Sequence, residues 1–306
     1  MTKVLIATVK PFAPAAVNQI KEIFDKAGYE TILLEKYPEQ SDFVKAVEDV
    51  DALIIRSDKA TKEVIDSGKN LKIIVRAGAG YDNIDLEAAT DKGVVAMNTP
   101  GQNSNAVAEL ALGMMVYLVR NQFNGTAGTE LRGKKLGIHA YGNVGKYVAE
   151  IAKGFGMEIY AYDPFIPKET IEKDGVKVLD SAEELYKTCQ YVSVHIPANE
   201  KTKNSINYEL LSLMPKGATL VNTARKEVVC EESLLKIFAD RNDFKYISDI
   251  APDCKDEIAE KFEGRFFFTP KKMGAQTSEA NINAGIAAAT QIINYLEKGD
   301  KTYQVN

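Results

Sequence analysis

The stretch KLGIHAYGNVG, residues 135 to 145, decides the fold. Residues 135 to 140 form a strand-length, mostly apolar run. The chain then breaks through Tyr141-Gly142-Asn143-Val144-Gly145 into a helical pattern that continues to Phe155. A strand that passes through a glycine turn into a helix gathers backbone N–H groups and a helix N-terminus at one point, an arrangement suited to a pyrophosphate. Gly142 allows the ligand to approach the backbone and Gly145 allows the helix to pack on the strand, while Ala140 stands where the dinucleotide fingerprint has its first glycine.

The next apolar run, EIYAYD, ends on Asp163, eighteen residues after Gly145. A carboxylate at the end of the second strand accepts hydrogen bonds from the adenosine ribose and repels a 2′-phosphate, so NAD is expected over NADP. Further along, YVSVHI (191 to 196), ATLVNT (218 to 223), KYISDI (245 to 250) and RFFFT (265 to 269) complete six strands, a full dinucleotide-binding sheet.

A separate series precedes it: VLIAT (4 to 8), TILL (31 to 34), ALII (52 to 55), KIIV (72 to 75) and VVAM (94 to 97). Short runs rich in Val and Ile that alternate with helical patterns signal parallel strands covered on both faces. Between the first two, Ala16, Ile20, Ile23, Phe24 and Ala27 fall at helical spacing and Gly28 marks the stop. Asn98-Thr99-Pro100-Gly101 breaks the rhythm before a helix expected from Ser104 to Arg120. A last helix, 278 to 298, carries Ile282, Ile286, Ile292, Ile293 and Leu296 on one face, ends at Gly299 and is expected to brace the first sheet. The fold class is α/β, with two doubly wound parallel-sheet domains.

With 306 residues, 45% of them hydrophobic, the chain has material for two cores. Its formal charge of −5, with basic residues scattered, leaves no electrostatic footprint for nucleic acid. The most apolar stretch, 106 to 119, is interrupted by Glu109 and falls short of the roughly 20 residues of a membrane span. The beginning of the chain has no signal-peptide pattern, so a cytoplasmic location is expected. Cys189, Cys230 and Cys254 are far apart and lack ligand spacing, which points to reduced thiols and no metal site.

Four blocks together resemble the D-2-hydroxyacid dehydrogenase family, in its D-3-phosphoglycerate dehydrogenase branch: RAGAGYDNID (76 to 85), NTPGQNSNAVAEL (98 to 110), LRGKKLGIHAYGNVG (131 to 145) and the run from His195 to Val229. The resemblance implies a flavodoxin-like substrate domain from residues 1–98 and 282–306, an inserted Rossmann domain from 99–281, and a homodimer formed through the Rossmann domain. It also implies NAD-dependent oxidation of a small, phosphorylated 2-hydroxy acid. At this length, the C-terminal regulatory domain of longer relatives is expected to be missing. Other substrates of the same class, glycerate, hydroxypyruvate or D-lactate, remain as alternatives, and a non-catalytic NAD-binding corepressor or sensor is a further one. NADH formation from phosphoglycerate separates enzyme from sensor.

By the same resemblance, Arg225, in Asn222-Thr223-Ala224-Arg225, would clamp the substrate carboxylate, and Thr223 and Ala224 would lie beside the cofactor. His195, Ile196 and Pro197 would also lie on the cofactor side, and Asp249 would contact the nicotinamide amide. Arg56, Ser57, Arg76 and the loop Ala77-Gly78-Ala79-Gly80 would hold the distal end of the substrate, with Asn103 near the hinge. Arg56 and Arg76 suit a phosphate, although either could pair with Asp58 or Asp82. The family's acidic partner is usually Glu, and Asp253 is the nearest match.

One departure is large. Where the family carries a catalytic His after Thr-Pro, this chain reads Thr269-Pro270-Lys271-Lys272-Met273-Gly274, and its two histidines, His139 and His195, lie elsewhere. A lysine is therefore the candidate acid/base. Lysines serve as bases only when burial and neighbouring positive charge lower their affinity for a proton. Matching from Thr269-Pro270 selects Lys271, whereas matching back from Gly274 selects Lys272.

Overall fold

The structure is a computed structural model describing residues 1–306, and the chain divides into two compact units, Met1–Asn103 with Gln276–Asn306, and Ser104–Ala275.

In the first unit, strands β1 (Lys3–Thr8), β2 (Glu30–Glu35), β3 (Ala52–Ile55), β4 (Ile73–Arg76) and β5 (Val95–Asn98) form a parallel sheet in the order β2-β1-β3-β4-β5. This is the flavodoxin-like order. Successive residues of a strand face opposite sides, and two cores result. Val4, Ile6, Ile54 and Val75 pack with the helices Pro14–Lys26 and Ser278–Lys298. Leu5, Ala7, Leu53 and Ile55 pack on the other side with Phe43, Val64 and Ala88. The helix Ser278–Lys298 begins on Thr277, whose hydroxyl accepts the Ala280 N–H, and stops at Gly299 with φ of 69°. Its Gly285 lets it approach the first helix closely, since a Cβ there would lie 2.7 Å from Ile20 Cδ1.

In the second unit, strands β6 (Lys135–His139), β7 (Glu158–Tyr162), β8 (Lys177–Val178), β9 (Tyr191–Val194), β10 (Thr219–Asn222), β11 (Lys245–Ser248) and β12 (Phe266–Phe268) pair in parallel in the order β12-β11-β10-β9-β6-β7-β8. The order reverses between β6 and β9, and ligands of open α/β sheets bind at the carboxyl ends of strands beside such a switch point. The strand the sequence does not reveal is β8, whose two residues are too short to carry a period-two pattern. At the opposite edge, Gln122 Nε2 donates to Phe266 O at 3.0 Å and occupies one acceptor of β12. No helix is long and apolar enough to cross a membrane.

Candidate functional site

The turn after β6 is held by backbone and carboxylate together. Ala140 adopts φ of 79°, a left-handed conformation that glycine takes more easily. Its N–H reaches Tyr162 O at 2.9 Å, and the Tyr141 N–H donates to Asp163 Oδ2 at 2.8 Å. Asp163 Oδ1 accepts the Phe165 and Ile166 N–H groups at 2.8 and 3.2 Å, so one carboxylate ties the glycine turn to the end of β7. Carboxylate oxygens accept more than one donor each, which leaves capacity for ribose hydroxyls. A Cβ on Gly145 would lie 2.5 Å from Ala140 O, hence the need for glycine where the helix Asn143–Gly154 meets the strand. On Gly142 it would meet nothing within 4 Å. The open side of Gly142, together with a buried Thr223 hydroxyl that has no hydrogen-bond partner, fits a dinucleotide at this edge.

Both histidines belong to the scaffold around this turn. His139 is buried, with Nδ1 3.3 Å from the Tyr186 hydroxyl, and burial pushes its pKa down to about 4 against the opposing pull of Asp163 and Glu183. His195 Nε2 lies 2.9 Å from Ser193 Oγ, and burial and then the neighbouring His139 lower its pKa too. Ile196 is buried and Pro197 exposed.

At the ends of β10 to β12 the other candidates gather. Asn222 is buried; its Oδ1 accepts the Ala224 N–H at 3.0 Å and its Nδ2 donates to Arg225 O at 2.9 Å. That side-chain-braced turn was legible in the Asn-Thr-Ala pattern as an Asx turn, yet sequence reasoning assigned Asn222 no role. The turn presents Ala224 O, which accepts from Arg225 Nη1 at 3.0 Å and from Lys272 Nζ at 2.8 Å. Lys272 and Arg225 therefore meet at one carbonyl; Lys271 and Lys272 are both exposed, so the burial expected of a lysine base is not found here, and what separates them is that Lys272 reaches this carbonyl. Asp253 is exposed and pairs with Lys226 at 2.5 Å, a partner the sequence did not suggest. Asp249 is 1% exposed, and its carboxylate accepts from the loop that carries the two lysines.

In the five-stranded unit, Arg56 directly follows β3 with both Nη groups engaged: Nη1 on Lys10 O and Pro11 O at 3.1 and 2.9 Å, and Nη2 on Asn281 Oδ1. Its guanidinium also lies over the Phe12 ring, 4.9 Å from the centroid. Arg76 Nε donates to Arg56 O at 3.0 Å, and its side chain crosses Gly78, where a Cβ would collide with it. The Ala77 and Gly78 N–H groups bond Ile55 O and Arg76 O, and those of Ala79 and Gly80 take no part in these bonds. Ser57 is exposed, and Asn103 precedes the helix Ser104–Val119. The buried Asp58 accepts from Val9 N–H at 2.6 Å and the Tyr37 hydroxyl at 2.9 Å.

Two doubly wound parallel sheets, one with a glycine turn and a strand-end carboxylate at its switch point, define a dinucleotide-binding α/β protein. Residues 92–259 match the D-isomer specific 2-hydroxyacid dehydrogenase NAD binding domain. A D-3-phosphoglycerate dehydrogenase of Methanocaldococcus jannaschii is 38% identical over 272 residues, covering 83% of this chain and 51% of the relative. A hydroxypyruvate reductase of Thermotoga maritima is 38% identical over 280 residues, covering 84% of this chain and 89% of the relative. The crystal structure of NAD+-bound 3-phosphoglycerate dehydrogenase from Entamoeba histolytica matches with a TM-score of 0.88 and 48% identity, covering 100% of this chain and 98% of that one. The chain belongs to the D-isomer specific 2-hydroxyacid dehydrogenase family, and it spans about half the length of several curated relatives it matches.

Proposed function

We propose that this protein is an NAD-dependent dehydrogenase that oxidises D-3-phosphoglycerate to 3-phosphohydroxypyruvate, with Lys272 as the acid/base. The observation that carries this reading is the meeting of Lys272 and Arg225 at Ala224 O, on the sheet edge that also bears the Gly142 turn. Tyr141 to Gly145, Asp163, His195 to Pro197, Thr223 and Ala224 hold the dinucleotide, which supplies the hydride acceptor when bound. Arg225 binds the substrate carboxylate through its planar fork. Lys272 Nζ takes the hydroxyl proton. Asp253, already paired with Lys226, contributes to the charge balance of the same edge and accepts no proton in this scheme. Ser57, the Ala79 and Gly80 N–H groups and Asn103 serve the distal end of the substrate, and Arg56 and Arg76 brace them.

A second reading, reduction of hydroxypyruvate to glycerate, draws on the engagement of Arg56 with backbone carbonyls, which takes one cation away from a phosphate. Following NADH absorbance with phosphohydroxypyruvate and hydroxypyruvate side by side decides between them: the proposal expects the phosphorylated acid to have the higher kcat/KM, and a preference for hydroxypyruvate overturns it. A cytoplasmic homodimer formed through the unit Ser104–Ala275 completes the reading on the strength of the family resemblance, and sedimentation of the full chain tests the dimer.

A further inference from the structure

The carboxylate of Asp249 has its bonds in one place. Oδ1 accepts the Thr269 hydroxyl at 3.0 Å and the Met273 N–H at 2.7 Å, and Oδ2 accepts the Gly274 N–H at 2.8 Å. The Thr269 hydroxyl also lies 2.8 Å from Asp249 O. All these donors belong to residues 269 to 274, so the buried carboxylate pins both ends of a short loop whose middle is Pro270-Lys271-Lys272. A buried carboxylate needs such donors, and bonds to a charged acceptor are the stronger kind. The residue type at the far pin follows: a Cβ on Gly274 would lie 2.9 Å from Asp249 Oδ2 and 3.0 Å from Val107 Cγ2. With the loop closed in this way, Lys272 Nζ reaches Ala224 O and stands beside Arg225.

We infer that Asp249 is the positioning residue of the lysine loop, fixing where Lys272 presents its amine. The inference rests on the proposed role of Lys272 and deepens it. An acid/base must be held to within a fraction of an ångström of its working position, so a loop released from its pins loses turnover without losing the dinucleotide.

Two variants test this in the full-length protein. Asp249→Asn keeps the shape but turns an –NH2 toward at least one N–H donor. Gly274→Ala keeps the carboxylate and pushes a methyl group against it. Hydrogen exchange of the peptide spanning 269–275, measured without substrate, is expected to quicken about 10-fold or more in Asp249→Asn while strands β9 and β10 keep their protection. Turnover is expected to fall on the order of 100-fold while NADH binds within about 2-fold of wild type, and Gly274→Ala is expected to move both readouts in the same direction. Unchanged exchange overturns the inference, and so does a loss of NADH affinity with turnover kept at saturating NADH, which would place Asp249 on the cofactor. If Asp249→Asn does not fold, Gly274→Ala decides by the same two readouts. Should wild type turn over no 2-hydroxy acid at all, the functional reading falls, and the exchange measurement still decides whether Asp249 holds the loop.

Discussion

Each sheet ends in a pair of cations, and the two pairs are used in opposite ways. At the edge of the five-stranded sheet, Arg56 and Arg76 turn their donors onto backbone and Asn281, stitching the loop after β1, two strands and the last helix together. At the edge of the seven-stranded sheet, Arg225 and Lys272 converge on a single carbonyl and both are exposed. The first pair lowers the energy of its own fold through charge-assisted bonds. The second brings two cationic side chains to one carbonyl, where a planar carboxylate can be gripped by the guanidinium fork. Cations at strand ends thus do not announce their use by position; the direction of their donors does.

The sharpest way to break that contrast is at Lys272. Lys272→Met keeps chain length and removes the amine, and turnover is expected to fall roughly 100-fold or more while NADH binding and thermal stability stay near wild type. Lys271→Met, made in parallel, is expected to change turnover by less than about 3-fold, since a solvated surface lysine contributes little. Stopped-flow turnover and NADH fluorescence titration give both numbers. Near-normal turnover in both variants would remove the lysine loop from the chemistry and make the two edges alike.

Arg56→Ala probes the other edge. Losing its bonds to Lys10 O, Pro11 O and Asn281 should destabilise the protein by roughly 1.5 to 3 kcal/mol, the range for a hydrogen bond involving a charged group. The loss is expected in denaturant unfolding, with phosphorylated and unphosphorylated substrates affected in the same proportion. A selective loss for the phosphorylated substrate with unchanged stability would make Arg56 a ligand group and erase the difference between the edges.

The seven-stranded unit also carries a charge it cannot accept. His139 is pushed down to about 4 by burial, whereas the unfolded chain has an ordinary histidine near 6.5. Between these values the unfolded state binds more protons, so stability rises with pH and is lost as the solution is acidified from about 6.5 towards 4. The loss from this residue should reach roughly 2 kcal/mol by about pH 5, and His139→Gln should make that part of the profile shallower, the rest coming from the similarly depressed His195. Urea midpoints measured across this range check it; a profile just as steep in His139→Gln would assign the acid sensitivity to other groups.

Much of this was open to reading from residues alone, and the failures have a common cause. Parallel strands covered on both faces are written as continuous Val and Ile runs, so both sheets were legible, and the 135 to 145 stretch located the switch point. Strand β8 was not, because two residues hold no period. The partners of Arg56 and Asp249 are main-chain carbonyl and N–H groups, which every residue carries and which leave no mark in the sequence. The ambiguity between Lys271 and Lys272 has the same root: counting residues along a loop of altered length does not reveal which amine finds a carbonyl.

The smallest effect is expected at Ala140, where the strained side of the comparison is testable without any ligand. Its φ of 79° lies in the left-handed region, and it stands where the dinucleotide fingerprint has glycine. A non-glycine residue held there costs of order 1 to 3 kcal/mol, and the surrounding bonds must over-determine it. They do so here: Ala140 N–H is on Tyr162 O, Tyr141 N–H on Asp163, and Gly145 is packed against Ala140 O. Replacing Ala140 with Gly removes the steric cost but adds roughly 0.5 to 1 kcal/mol of chain entropy to the unfolded state. The net expectation is a stabilisation on the order of 1 kcal/mol, with NADH affinity retained because the same bonds still fix the turn. Denaturant unfolding of wild type and Ala140→Gly at neutral pH checks the sign. A destabilised variant would mean that the alanine sits there without strain, and the glycine turn would then join the well-satisfied edge at Arg56 rather than stand against it.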